Sequence, residues 1–554
     1  MMNFSNKNRE AFVDKLKSEK HDLIIIGGGI TGAGIALDAT TRGMKVALIE
    51  MQDFSAGTSS RSTKLIHGGL RYLKQLEIKM VSEVGKERSI VYENGPHVTT
   101  PEWMLLPIYK GGTFGKWSTS LGLRIYDYLA GVKKSERRMM LNKNETLARE
   151  PLLNKEGLKG AGYYVEYRTD DARLTIEVIK AANEKGATAV HYSKVEKLLY
   201  QDEKLVGVLV SDQLTDEIYE IYADYIINAA GPWVDTIREL DRSNHGKYLN
   251  LTKGVHLVFS QSRFPLKQAI YFDTNDGRMV FAIPREEKTY VGTTDTFYEW
   301  NPIYPKVTSK DRIYLLQAIN ERFPSIHLDE NDIESSWAGV RPLISEEGKK
   351  PSEISRKDEI WESRSGLITI AGGKLTGYRK MSEEVVDLIV KKSKEENGRR
   401  YPNCKTKHFP ISGGNVGGSK GFKDYLHVHT KKGISIGLTE EEARQLTIKY
   451  GSNVSVLYKI IACEKDIADR YQLPILLFAK LKYGLEEEMV VTPVDFFSRR
   501  TGDLLFHLDV VKKYKDEVIV FLKDYFGWNR RMEQIMKEEM EIAIQTATIS
   551  MEEK

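Results

Sequence analysis

The period of the hydrophobic pattern changes along the chain. His21-Asp22-Leu23-Ile24-Ile25-Ile26 is apolar without alternation and ends in glycines, which predicts a buried parallel strand. A helical pattern follows from Thr31 to about Arg42, stopped by Gly43, and Val46-Ala47-Leu48-Ile49 predicts the next strand. Together they make one βαβ unit. Between about residues 254 and 295 the period becomes two, in 255–259, 269–272 and 279–283, with Asn275-Asp276-Gly277 as a turn. This predicts antiparallel sheet in a second layer. Helical patterning begins at Arg379, crosses the Gly-rich residues 412–418, read as a linker, and continues through 440–450, 454–464, 474–483 and 510–525. Ahead of the first strand, Phe4, Phe12, Val13 and Leu16 stand near helical spacing and predict a short amphipathic lead-in helix packed on its own domain.

Composition narrows this picture. The chain has 554 residues, 41% hydrophobic and 29% charged, which excludes wholesale disorder and allows several cores. With 82 Lys+Arg against 78 Asp+Glu, the net charge of +4 indicates no nucleic-acid partner, so any basic site is local. Cys404 and Cys463 lie far apart, without a second ligand at zinc spacing. Reduced thiols in cytosol are therefore expected, with no metal and no disulfide framework. The longest apolar runs fall far below the roughly 20 residues of a membrane-spanning helix, and the polar N-terminus carries no signal-peptide core. Attachment to a membrane surface stays open.

Candidate chemistry begins after the first strand. Gly27, Gly29 and Gly32 form a G-x-G-x-x-G turn, with Ile30 and Thr31 opening the helix. The glycines permit a tight turn, close approach of backbone to a pyrophosphate, and close packing of helix on strand. Glu50 ends the second strand about twenty residues on, where a carboxylate can accept ribose hydroxyls and where an acid disfavours a 2′-phosphate. FAD and NAD share this fingerprint. Two later segments favour FAD: Asn228-Ala229-Ala230-Gly231-Pro232-Trp233 after a strand-like run, and Ile368-Thr369-Ile370-Ala371-Gly372-Gly373-Lys374, a strand ending in a glycine pair. A Rossmann domain reassembled from distant segments is the pattern of two-domain flavoproteins. The stretch from Thr58 to Tyr72, rich in hydroxyls, glycines and cations, suits a flavin and its pyrophosphate.

These strings resemble the FAD-dependent, respiratory-type glycerol-3-phosphate dehydrogenases of the D-amino-acid-oxidase superfamily. The resemblance rests on GGGITGAGIALDA from Gly27, TSSRSTKLIHGGLRYL from Thr58, NAAGPWVD from Asn228, VGTTDT from Val291, AGVRPL from Ala338 and GGKLTGYR from Gly372. It implies an α/β + α fold: a discontinuous Rossmann-type FAD-binding domain, an antiparallel-sheet substrate domain over the flavin, and a helical C-terminal domain. The expected FAD segments are about 21–100, 160–240 and 355–395, and the substrate segments about 100–160 and 245–350. These interleave within residues 1–399, and residues 400–554 form the helical domain. The implied cofactor contacts are Gly27, Gly29, Ile30, Thr31, Gly32, Glu50, Thr58, Ser59, Ser60, Lys64, Leu65, His67, Gly68, Gly69, Val195, Ala230, Gly231, Gly372, Gly373, Lys374, Leu375 and Thr376. The implied substrate pocket is Arg71, Tyr72, His256, Arg341, Arg356, Lys374 and Thr376.

The activity implied is oxidation of sn-glycerol 3-phosphate to dihydroxyacetone phosphate, with hydride passing to FAD. His256 is the expected base, because imidazole is available unprotonated near neutral pH. Arg341 is expected to steady the developing oxyanion, and the other cations the phosphate. No large insertion interrupts residues 337–372, which favours a membrane quinone over molecular oxygen as acceptor. Peripheral attachment to the cytoplasmic face of the cell membrane follows, through the lead-in helix or basic pairs such as Lys391-Lys392, Arg399-Arg400 and Arg499-Arg500. Assembly as a homodimer is left open. The alternatives are an oxygen-using glycerol-3-phosphate oxidase, a non-catalytic FAD-binding sensor or scaffold, and an NAD-dependent dehydrogenase.

Overall fold

In the computed structural model the first βαβ unit is built as its pattern predicts: strand His21–Ile26, helix Ile30–Thr41, strand Val46–Ile49. The structure describes residues 3–67, 78–112, 115, 119–120, 122–125, 136–346 and 358–550. Leu23, Ile24 and Ile25 are fully buried, because helices cover both faces of a parallel sheet. Ile24 lies opposite Ile226 on one side and Ala47 on the other. Five strands run parallel in the order Leu367–Ala371, Ile218–Asn228, His21–Ile26, Val46–Ile49, Thr188–Val190. The segments at 228 and 368 thus join the first βαβ unit in one sheet, as expected from their strand-into-glycine form.

Among the described residues the second sheet has ten strands, and it carries the period-two region. Lys247–Ser260 is its long spine, paired antiparallel with Lys288–Gly292 and with Ile333–Glu346. Ala269–Asp273 and Met279–Arg285 form the predicted hairpin, whose Gly277 takes a positive φ of 79° at the turn. Leu158–Thr169 also belongs to this sheet, pairing with Thr99–Tyr109. The layer therefore extends past residue 160, where the sequence suggests a return to the FAD layer. Tyr164 and Val165, facing opposite sides, are both buried, so this strand shows no alternation to betray its antiparallel pairing.

The helical region forms a third body with its own core, from Gly418–Ser435 through Glu440–Tyr450, Val454–Cys463, Ile475–Glu487 and Leu508–Phe526 to Arg530–Thr548. Residues 412–418 are not a loose linker. A Cβ on Gly414 would stand 2.2 Å from the Asn94 carbonyl oxygen, so the chain crosses here in close contact with the FAD layer. The lead-in helix Arg9–Ser18 buries Phe12, Val13 and Leu16, and Arg9 is locked to Asp212 at 2.6 Å and to the His191 carbonyl at 2.7 Å. Its apolar face is therefore spent within the protein and is not offered to a membrane.

Candidate active site

A cavity of about 740 Å3 lies between the two sheets, within the range of ligand pockets. One end is built by the βαβ turn. Gly27 has a φ of +116°, and a Cβ there would stand 2.5 Å from the Ala229 carbonyl oxygen. A Cβ on Gly32 would meet the Gly27 carbonyl oxygen at 1.9 Å, so only glycine lets this helix start so near the strand. The helix N-terminus opens on the cavity at Gly29, Ile30 and Thr31, with partial positive charge aimed where a pyrophosphate would lie. Glu50 accepts the Gly28 amide at 2.6 Å on one oxygen and the Gln52 amide at 2.8 Å on the other. Each oxygen keeps a lone pair for a ribose hydroxyl. Burial pushes the Glu50 carboxyl above its usual range, opposed by these amides.

The walls continue through Thr58, Ser59, Leu65 and His67 on one side, and through Val195, Ala230, Gly231, Gly372, Gly373, Lys374, Leu375 and Thr376 on the other. Ser59 Oγ accepts the Ile30 amide at 3.0 Å, tying the hydroxyl-rich loop to the phosphate turn. The cradle of glycines, the paired ribose acceptor and the length of the cavity together fit a long dinucleotide such as FAD. Three expected contacts stand behind this wall. Gly32 serves packing, Ser60 is buried, and Lys64 turns its ammonium onto Asp171 at 2.6 Å and the Ser60 carbonyl at 3.0 Å. Asp171 also takes the Ser62 amide and hydroxyl, so the Lys64 ammonium is spent on shaping the loop. Gly68, Gly69, Arg71, Tyr72 and Arg356 lie outside the described residues.

At the far end Arg341, Lys374, His67 and His256 share the cavity. Arg341 donates to Thr293 Oγ1 at 3.3 Å and faces Asp295 at 3.7 Å. His256 is only 1% exposed. Its Nε2 meets Thr63 Oγ1 at 3.0 Å, and its Nδ1 is buried with no hydrogen bond among the described residues. Gly292 packs so closely that a Cβ there would fall 2.2 Å from the His256 ring. His67 is more open, packed edge-on to Phe281. Burial, reinforced by Lys374 and Arg341, lowers its pKa to about 3. His256 is pushed well down as well, by burial and then by Arg341. Both imidazoles are therefore neutral at pH 7.

Sequence reasoning missed several wall residues. Arg61, Ser62 and Thr63 sit inside a string already singled out, while Tyr271 and Phe281, stacked at 4.2 Å, come from the period-two region. Alternation marks such residues as facing one side of a sheet, but not as facing a ligand. The grouping of Asp53, His191 and Asp495 has metal-ligand spacing, yet the Arg499 and Arg500 guanidiniums already fill the place of a cation.

The family model for FAD dependent oxidoreductases matches residues 22–379, and that for the C-terminal domain of alpha-glycerophosphate oxidase matches residues 404–533. The chain is 61% identical to the aerobic glycerol-3-phosphate dehydrogenase of Bacillus subtilis (strain 168), over 100% of each chain. It is 58% identical to that of Staphylococcus aureus (strain USA300), over 99% of this chain and 98% of the other. Among solved structures it is similar to the glycerol-3-phosphate dehydrogenase from Bacillus halodurans complexed with FAD, with a TM-score of 0.87, 48% identity and 100% of each chain covered. The L-alpha-glycerophosphate oxidase of Mycoplasma pneumoniae, with FAD bound, shares the fold at a TM-score of 0.56 and 18% identity, over 71% of this chain and 99% of that one.

Proposed function

The chain belongs to the FAD dependent oxidoreductases, in the branch of the glycerol-3-phosphate dehydrogenases, and from that premise we propose how its residues oxidise glycerol 3-phosphate and where the electrons go. One observation carries the reading. A single cavity joins a dinucleotide cradle at Gly27 and Glu50 to a pocket holding two cations and a neutral imidazole.

Gly27 to Thr31, Glu50, Ser59 and Gly372 to Thr376 would hold FAD, which would supply the acceptor for the hydride from carbon 2 of the substrate. Arg341 and Lys374 bind the phosphate dianion and hold the substrate in one orientation. The proton of the carbon-2 hydroxyl passes to the unprotonated ring nitrogen of His67. Burial makes that nitrogen a weak base, and Lys374 and Arg341 press it lower. The arriving phosphate offsets the part due to their charge and raises the basicity of His67 by that part. His256, expected from sequence to take this proton, has one nitrogen on Thr63 and the other buried, so it holds Thr63 and the cavity wall in place.

Electrons then leave to a quinone at a membrane surface. Among the described residues no helix is long and apolar enough to cross a membrane. Of the basic pairs, Arg500 is buried and Arg499 is ion-paired with Asp53, Lys392 is paired with Glu362 and Glu396, and Arg399 with Asp22 and Asp224. A different feature supports surface contact. Asn301, Pro302 and Ile303 line the cavity, while Phe297 and Tyr304, each 65% exposed, and Trp300 point outward from the same loop. Aromatic rings suit the boundary between headgroups and acyl chains. In this reading the contact lies beside the redox site, on the cytoplasmic face of the membrane.

The deciding experiment mixes the yellow protein anaerobically with glycerol 3-phosphate, with glycerol as control. Bleaching by the phosphate ester alone, with dihydroxyacetone phosphate as product and reoxidation by a soluble quinone faster than by air, supports the reading. Bleaching by glycerol, or faster reoxidation by air, overturns the phosphate or the quinone assignment.

A further inference from the structure

The helical domain and the dinucleotide cradle meet at one buried loop. Residues 51–56 follow Glu50, and Asp53 at their centre is 1% exposed. Its carboxylate takes both Nη atoms of Arg500 at 2.8 Å, a bidentate fork, and also the Nε of Arg499. Both arginines come from the turn Asp495–Arg500 of the helical domain. Arg499 also binds Asp495 at 2.6 Å, and Asp495 accepts the Tyr192 hydroxyl at 2.7 Å. Arg500 donates besides to the Glu488 carbonyl at 2.8 Å. These guanidiniums hold the Asp53 carboxyl well below its usual range against the push of burial.

The other face of the loop braces the cradle. The Ser55 amide donates to the Gly28 carbonyl at 3.0 Å, and the Gln52 amide supports Glu50 at 2.8 Å. Phe54 is fully buried, stacked on His191 with ring centres 4.8 Å apart. A Cβ on Gly28 would meet Phe54 at 2.8 Å, so no slack separates loop from turn. Asp53 is therefore pinned from the helical domain, while its neighbours Gln52, Phe54 and Ser55 set the positions of Glu50 and Gly28.

We propose that Arg499 and Arg500 are positioning residues for the cofactor: by holding Asp53 they hold the loop that orients Glu50 and Gly28, so docking of the helical domain and binding of the adenosine half of FAD reinforce one another. This rests on the placement of the ribose at Glu50. It gives the C-terminal domain a task in the FAD site, although none of its described residues lines the cavity. Linkage requires reciprocity: whatever loosens the clamp weakens FAD, and FAD strengthens the clamp.

The test uses the full chain, stripped of FAD and titrated with it. Arg500→Lys keeps the charge but loses the fork, and Asp53→Asn keeps the shape but loses the charge. Each is expected to weaken FAD binding at least tenfold and to shrink the rise in Tm that FAD produces. With FAD saturating, the anaerobic rate of flavin reduction stays within threefold of wild type. Arg312→Lys is the control for plain destabilisation. Its guanidinium ties the substrate layer to the Thr548 carbonyl at 2.8 Å, at a different contact of the helical domain. It should lower Tm and leave FAD affinity within twofold. If Arg500→Lys and Asp53→Asn lower Tm but also leave FAD affinity within twofold, the clamp is only structural and the proposal fails. Glu50→Gln separates the premise: unchanged FAD affinity there overturns the ribose placement, whereas a loss there without one in the clamp variants overturns the clamp alone.

Discussion

His256 and Trp337 are cross-strand neighbours whose rings lie face to face, 4.6 Å between centres and 9° from parallel. The stack, with Thr63 on Nε2, makes His256 part of the cavity wall. His67→Ala should therefore lower the anaerobic rate of flavin reduction by about a hundredfold or more, the scale of lost general-base catalysis. His256→Ala should lower it less than tenfold while reducing Tm. Stopped-flow reduction of both variants decides, and the reverse ranking would return the base to His256.

Under the proposed mechanism Arg341 and Lys374 hold the phosphate, so their removal acts on substrate affinity. Arg341→Ala and Lys374→Ala should each raise KM for glycerol 3-phosphate by about ten- to a hundredfold, the loss of one charge-assisted hydrogen bond of ~1.5–3 kcal/mol. Inhibition by inorganic phosphate should weaken in parallel. An unchanged inhibition constant removes the residue from the phosphate site.

Gly32→Ala tests the cradle. Its methyl group would overlap the Gly27 carbonyl oxygen, and both partners are backbone that cannot step aside. The purified variant should be colourless or carry a small fraction of the wild-type flavin, read from its visible absorbance relative to protein. Full flavin content would show that the turn can open.

His507 predicts a pH effect. Its imidazole lies between Asp503 at 3.2 Å and Glu286 at 3.0 Å, joining the helical domain to the substrate layer. Those hydrogen bonds push its pKa up to about 9 from 6.5. Protonated His507 then contributes stability that is fully present below pH 6.5 and is lost as pH rises through about 9. Tm should fall across this window, modestly because the side chain is a third exposed, and His507→Gln should flatten the profile. Parallel profiles for the two proteins would refute the assignment.

The outward aromatic loop carries the membrane prediction. Replacing Phe297, Trp300 and Tyr304 together by Ser should reduce binding to anionic vesicles by about tenfold or more, since even one ring buried in the membrane contributes ~1.5–3 kcal/mol. Flavin content should not change. Vesicle binding that survives the triple replacement assigns contact to another surface.

Much of the architecture is written locally. Residues 21–26, 46–49 and 225–227 are apolar on both faces because a covered parallel sheet demands it, and the glycines at 27, 29 and 32 stand where backbone must approach phosphate and strand. The hairpin at 269–285 is legible from alternation and an Asp-Gly turn. The strand Leu158–Thr169 is not, since both its faces are covered and its long antiparallel partner, Thr99–Tyr109, lies about fifty to seventy residues earlier.

The sequence by itself thus determined the strand-turn-helix cradle, the carboxylate at its edge and the three layers, all of which follow from residue type and spacing over short stretches. Only the tertiary structure decided what each charged or polar side chain faces. It stacks His256 on Trp337 with one ring nitrogen on Thr63, turns Lys64 onto Asp171 and opens His67 to the cavity. It also buries Arg499 and Arg500 against Asp53, more than four hundred residues away, although in the sequence they look like a solvated basic pair. The physical reason is that burial and pairing belong to contacts between distant parts of the chain, and these set the charge, access and orientation on which the chemistry depends.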